Sequence, residues 1–265
     1  MTNDPTDQLD MSVKQALERL SGLLDRSTGS LAVLPDTSHT DTGLFVSLEG
    51  GEGTGKSTQS TRLASYFSDL GHDVDLTREP GGSVGADILR EVLLRGHALT
   101  HGTLAEASIL SAARADHMQR RILPALAAGK TVICDRFSDS TRIYQGFVGG
   151  LSNQTIDAME HAVTAGRMPD LTIVFDLSPD VALRRRESRR SSKADGDDRF
   201  ETESGEFHQK VAEGFRWLAR EWPNRCVLID AEGSEDEVGE RVEKAVHYRL
   251  GERVQARSAE TEAAE

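Results

Sequence analysis

The chain has 265 residues, 37% hydrophobic and 28% charged, enough for a sizeable core in one or two domains. No apolar run approaches the ~20 residues of a membrane span, and a net charge of −13 argues against general nucleic-acid affinity, which needs a basic face. The acidic start lacks the apolar stretch of a secretory signal, and Cys134 and Cys226 sit in apolar runs that read as buried free thiols of a cytoplasmic protein.

Residues 1–42 read as a polar extension in which Val13, Ala16, Leu17, Leu20 and Leu24 are spaced as on a short amphipathic helix. A strand is predicted over 44–48. It runs into Gly50-Gly51-Glu52-Gly53-Thr54-Gly55-Lys56-Ser57, which fills every fixed position of G-x-x-x-x-G-K-[ST]. A helix over 56–70 follows, with Leu63, Tyr66, Phe67 and Leu70 at three- and four-residue spacing. Strand, glycine turn and helix are the context in which backbone N–H groups and a helix N-terminus close around a polyphosphate. Lys56 then reaches the β/γ-phosphates, and Ser57 can bind Mg²⁺.

Further strands are predicted over 73–77, 131–135, 171–177 and 225–230, with helices over 86–95, 104–128, 153–165, 179–190, 206–221 and 235–251. That alternation implies a five-stranded parallel sheet with helices on both faces, its ligands bound beyond the carboxyl ends of the strands. The second strand ends in Thr77-Arg78-Glu79-Pro80-Gly81-Gly82, a rigid turn that aims Arg78 at the same rim as the glycine loop. The third ends in Asp135-Arg136-Phe137, where Asp135 is placed to orient Mg²⁺ and its waters. Arg136 can clamp a phosphate there or form a buried ion pair. Residues 184–193 are the densest positive patch, and they lead into the flexible acidic stretch 194–201, as a lid over phosphates would. The eight histidines are scattered without metal-ligand spacing, and residues 252–265 read as a polar tail.

Taken together the motifs resemble thymidylate kinase, in its bacterial branch. The resemblance is carried by 49–58, 77–82, 135–137, Asp139-Ser140-Thr141-Arg142-Ile143-Tyr144-Gln145-Gly146, 169–172 and 198–201, and it covers about 43–251. It implies a P-loop nucleoside-monophosphate-kinase-like fold with a lid at about 184–200, and Mg²⁺-dependent transfer of the ATP γ-phosphoryl group to dTMP. On that resemblance Gly50, Gly51, Glu52, Gly53, Thr54, Gly55, Lys56, Ser57 and Thr58 hold ATP, with lid arginines Arg185 and Arg189. Arg189 is the arginine expected to carry transition-state charge. Ser57 and Asp135 would serve Mg²⁺. Arg78 and Arg136 would hold the acceptor phosphate, with Glu52 beside the acceptor sugar and phosphate. Arg114 matches the thymine-contacting arginine, and Ser140, Thr141, Tyr144 and Gln145 would line the base and sugar pocket. A homodimer is implied by resemblance alone.

One departure bears on specificity. The family carries a phenylalanine four residues before the thymine-contacting arginine, and here that position is Leu110. Leucine still covers a ring face but loses an aromatic stacking contribution of about 0.5–1.5 kcal/mol. Two other readings follow: a nucleotide kinase with shifted base preference, and a P-loop module that holds ATP without an acceptor. The intact Arg78, Arg114, Arg136, Tyr144 and Gln145 speak against the second.

Overall fold

A computed structural model describes residues 43–94, 102–190 and 203–262, without the side chains of 189, 190, 252 and those from 255 onward. The expected helix within 1–42, the lid connector 191–200 and the side chain of Arg189 lie outside the described residues.

Five parallel strands make one sheet: β1 (Leu44–Gly50), β2 (Val74–Arg78), β3 (Thr131–Asp135), β4 (Leu171–Asp176) and β5 (Cys226–Asp230), in the order β2-β3-β1-β4-β5. All seven residues of β1 are buried, as a central parallel strand covered on both faces requires. Side chains alternate across it. Leu44, Val46 and Leu48 pack with Leu63 and Phe67 of α1 (Lys56–Asp69) and with Val238, Val242 and Val246 of α9 (Glu235–Glu262).

The other face of the sheet carries two further clusters. Phe45 joins Met118, Ile122 and Leu126, which come from the long helical run after α2 (Val84–Leu94). That run comprises α3 (Gly102–His117), a π-helical turn (Met118–Ile122) and α4 (Leu123–Ala127). Beside it, Val174 packs with Ile143, Val211, Phe215 and Leu218, the last three from α8 (Gly205–Glu221). A fully buried Phe or Leu contributes about 1.5–3 kcal/mol, so these clusters fix which face each helix covers. The remaining helices are α5 (Ser138–Thr141), α6 (Asn153–Thr164) and α7 (Pro179–Arg190).

Strand positions agree with the predicted ones to within two residues at each end, and two differences concern helices. Residues 138–148, with no helix predicted, form α5 and a π-helical turn at Arg142–Val148. The last helix does not stop at 251 but runs to Glu262; Val254 is buried, and Arg253 Nη1 lies 2.7 Å from Asp170 Oδ1.

Ser47 and Glu49 share the Phe45 face and begin a polar strip inside the sheet. Ser47 Oγ lies 2.8 Å from Thr172 Oγ1, whose hydroxyl is 3.2 Å from Asp139 Oδ2. Arg225 closes the strip with Nη1 and Nη2 donating to Asp139 at 2.5 and 2.8 Å. Asp139 is fully buried, so this pair stands in place of solvent for both charges.

Candidate active site

Strand register brings three motifs to one rim. Asp135 of β3 lies opposite Leu48 of β1 and Arg78 of β2, so the loops after all three strands leave at one level. The glycine loop turns out of β1 through Gly50, Gly53 and Gly55, all at positive φ. Gly55 is the left-handed N-cap of α1 and offers no side-chain cap, which leaves the first N–H groups of α1 for an anion. A Cβ at Gly53 would lie 2.7 Å from the Ala182 carbonyl, so α7 presses against the loop and only glycine fits.

Lys56 is buried at the loop's base and donates from Nζ to the Gly51 carbonyl at 2.7 Å. Burial lowers its pKa to about 8, with the nearby positive charge of Arg136 adding to the effect. Thr54 Oγ1 donates to the same carbonyl at 2.9 Å. One residue on, Ser57 Oγ donates to Asp135 Oδ2 at 2.6 Å, while Asp135 Oδ1 is buried with no hydrogen-bond partner. A hydroxyl, a carboxylate and an unmatched oxygen at a loop built for phosphate form a hard oxygen donor set, which suits Mg²⁺. Thr58 is exposed on the first turn of α1.

Arg136 occupies left-handed backbone at φ 69, an uncommon conformation for a non-glycine residue. Its Nη1 donates to the Gly50 carbonyl at 3.0 Å and to Ser140 Oγ at 3.2 Å; Nη2 pairs with Glu52. The guanidinium carbon lies 5.4 Å from the centre of the Tyr144 ring, and Tyr144 Oη donates to Glu52 at 3.5 Å. A carboxylate thus occupies one arm of an arginine fork at the mouth of the glycine loop.

Next to it lies a buried polar chain. Glu79 accepts from Arg114 Nε at 2.8 Å and from His117 Nδ1 at 3.1 Å. In the tautomer that donates to Glu79, His117 Nε2 accepts from the Thr77 hydroxyl, 2.8 Å away. Arg114 Nη2 donates to Thr141 Oγ1 at 3.1 Å, and its guanidinium lies 5.3 Å from the centre of the Phe137 ring. Leu110 is half-buried on α3, one turn before Arg114. Gln145, on the π-helical turn, donates to Glu106 at 3.0 Å and keeps a buried Oε1 without a partner. A π-helical turn shifts side-chain phase within a helix and often marks a functional site.

Gly82 closes the turn after β2 at φ +90, where a Cβ would lie 2.5 Å from both His117 Nε2 and Thr77 Oγ1. Gly82→Ala is expected to cost about 2 kcal/mol or more from strain and the broken Thr77–His117 bond, read as a drop in Tm. An unchanged Tm would show that the turn yields.

The remaining expected residues are not all gathered at the loop. Arg78 is exposed at the end of β2. Arg185 donates to the carbonyls of Ala231 and Gly233, at 3.2 and 3.1 Å, and so is tied to the loop after β5. Arg186, which the sequence did not single out, is the α7 arginine against the glycine loop. It is buried, its Cγ lies 3.2 Å from the place of a Gly53 Cβ, and Nη1 pairs with His208 of α8. Together with Gly51, Glu52, Thr54 and Asp176 these two line a hollow beside the loop. Burial and then the charge of Arg186 hold the His208 pKa below the usual histidine value. Glu49 was likewise missed as a site residue. It is fully buried behind Arg136, its pKa raised to about 7 by burial and then by Asp139. Its signal in the sequence was a carboxylate directly after an apolar strand, at the head of the 49–58 motif.

Comparisons with known proteins identify the family. Residues 48–242 match the family model of thymidylate kinase. The thymidylate kinase of Caulobacter vibrioides is 46% identical over 209 residues, 79% of this chain and 98% of that protein. That of Bradyrhizobium sp. is 45% identical over 216 residues, 82% of this chain and 95% of that protein. Among solved structures, the thymidylate kinase of Ehrlichia chaffeensis superposes with a TM-score of 0.61 at 30% identity, covering 77% of this chain and 98% of that one. With a glycine loop, an arginine fork and a buried polar cluster meeting at one rim, and with relatives this close over most of its length, the chain belongs to the thymidylate kinase family.

Proposed function

We infer that this protein phosphorylates dTMP to dTDP at the expense of ATP. The observation that carries the reading is the Arg136 fork, held at the mouth of the glycine loop by Gly50 and Glu52. A module that only held ATP would have no use for a second phosphate clamp at that point. Family membership supplies the nucleotide class.

In this reading 50–58 close around the ATP phosphates, and Lys56 leaves the Gly51 carbonyl for the transferred group. Arg136 exchanges Glu52 for the acceptor phosphate, with Arg78 as the second arm. Glu52, released, faces the acceptor sugar and phosphate. Arg114, set by Glu79 and Thr141, meets the base, with Leu110 covering its face. Ser140, Thr141, Tyr144 and Gln145 complete the pocket. Ser57 and Asp135 would hold Mg²⁺, which neutralises charge on the phosphates when bound. Phosphoryl transfer needs alignment and charge compensation more than covalent help, and these residues provide both. Arg185 and Arg189 remain candidates for the lid charge, and Arg186 joins them because it faces the loop. A dTTP-supplying role in the cytoplasm and a homodimer complete the proposal.

The test is ADP formation from ATP and Mg²⁺ with dTMP, dUMP, dCMP, UMP, AMP and GMP, each against no acceptor. Strong preference for dTMP is the expected result. ADP formation independent of acceptor would overturn the reading. Leu110 favours a second outcome, relaxed base choice, and Leu110→Phe is then expected to tighten dTMP binding about two- to tenfold through regained stacking. Calorimetry with dTMP alone checks this, and an unchanged affinity would mean that the side chain at 110 does not meet the base.

A further inference from the structure

Glu49 is the penultimate residue of β1 and has no exposure to solvent. Its carboxylate is saturated by one short stretch of chain. Oε1 accepts the Phe137 N–H at 2.7 Å and the Ser140 N–H at 3.3 Å, and Oε2 accepts the Ser140 hydroxyl at 2.6 Å. Phe137 is the N-cap of α5 and provides no side-chain cap. The cap therefore comes from a strand 88 residues earlier in the chain.

Ser140 is the hinge of the arrangement. Its Oγ donates to Glu49 while accepting from Arg136 Nη1 at 3.2 Å. Arg136 stands between the cap and β3 in left-handed backbone, a conformation that persists only where its surroundings hold it. Three contacts hold its fork: Glu52 at one nitrogen, and the Gly50 carbonyl together with the Glu49–Ser140 chain at the other. The acceptor phosphate must displace the first of these, so the Gly50 carbonyl and the Glu49–Ser140 chain are what keep the fork aimed during exchange.

We propose that Glu49 is a positioning residue for the acceptor-phosphate clamp, capping α5 from β1 and fixing Arg136 through Ser140. This rests on the dTMP kinase reading above. A purely structural carboxylate is a poor explanation of the site. A buried anion costs stability, and a neutral side chain of the same size would satisfy the two N–H groups equally well. What glutamine cannot do is accept the Ser140 O–H as the carboxylate does. Its amide nitrogen is a donor, so the Ser140 hydroxyl would have to turn.

The titratable groups around Glu49 are Asp139 of α5, Arg136, Lys56 of α1 and the neutral phenol of Tyr144 on the π-helical turn, with the thiols Cys134 of β3 and Cys226 of β5. Asp139 pairs with Arg225 and Arg136 with Glu52; burial, and then the charge of Asp139, raise the Glu49 pKa to about 7. Acceptor affinity should fall as the pH drops through that value, because a protonated Glu49 no longer accepts from Ser140. Stability runs the other way. A carboxylate whose folded pKa lies above its unfolded value loses stability as pH rises from about 4.5 towards 7.

The experiment compares wild type, Glu49→Gln and Ser140→Ala by calorimetry with dTMP alone and with ATP alone, by steady-state kinetics and by Tm. Both variants are expected to bind dTMP about tenfold more weakly with ATP affinity unchanged. KM for dTMP should rise more than kcat falls. At pH 8 Glu49→Gln should match or exceed the wild-type Tm. The second ionisation of the dTMP phosphate, near pH 6, is common to all three proteins. The wild-type minus Glu49→Gln affinity profile should therefore retain a step near 7. Unchanged dTMP affinity in both variants, or parallel loss of ATP and dTMP binding with a lower Tm, would overturn the proposal. Wild type failing to bind dTMP at all would overturn the acceptor-site reading beneath it.

Discussion

Replacing Lys56 by alanine is expected to lower kcat by at least about a thousandfold while dTMP binding stays within about threefold of wild type. The ammonium is buried at the base of the glycine loop, and its hydrogen bonds among the described residues go to loop atoms, the Gly51 carbonyl at 2.7 Å and Thr54 Oγ1 at 3.5 Å. None of the Arg136, Arg114 or Glu49 contacts depends on it. Its loss removes charge from the donor phosphates and leaves the acceptor cluster standing. The burial that lowers its pKa to about 8 is a cost to the free protein, so Lys56→Ala should not lower Tm and can raise it. Rapid-quench measurement of a single turnover separates this from slow product release. A dTMP affinity that falls as far as kcat would mean that the donor and acceptor sites are not separable at Lys56.

Asp139→Ala is expected to be the most destabilising single change near the site. Asp139 is fully buried and receives two nitrogens of Arg225, which is itself only 17% exposed at the side chain, plus the Thr172 hydroxyl. Removing the carboxylate strands a guanidinium inside the fold, which typically costs about 3–5 kcal/mol. For a domain of this size that corresponds to a Tm lower by roughly 6–20 °C. The double replacement Asp139→Ala with Arg225→Leu should recover much of the loss, because no unpaired charge remains. A double variant no more stable than the single one would show that the pair contributes through packing and not through its charge. Removing Asp139 also removes the second cause of the raised Glu49 pKa, so the pH step in dTMP affinity should move down.

Much of the architecture was legible along the chain because its signals are local. Five short apolar runs alternate with helical patterns, and that rhythm admits a parallel sheet and little else. The glycine loop was equally plain, since its chemistry depends on backbone freedom at fixed spacing and on a lysine that follows directly. Arg136, Asp135, Arg78 and Gly50 could be placed on one rim from strand ends alone, because parallel strands deliver all their carboxyl ends to the same edge.

What the chain could not reveal is phase and partnership. Arg184, Arg185 and Arg186 are adjacent in a basic run, yet one turns to the β5 loop and another to the glycine loop. Only the packing of α7 against Gly53 selects which. The π-helical turn at Arg142–Val148 was invisible, since no local pattern marks one inserted residue in a helical register. Glu49 and Asp139 looked like ordinary motif neighbours in sequence. They became a buried acidic pair because β1, β4 and α5 close around them, and their partners Ser140 and Arg225 come from distant parts of the chain. Sequence alone determined the fold class, the phosphate loop and the family, which rest on short-range spacing and backbone chemistry. Tertiary structure alone decided which charges are desolvated and which donors meet them, because burial and pairing depend on contacts between residues far apart in the chain.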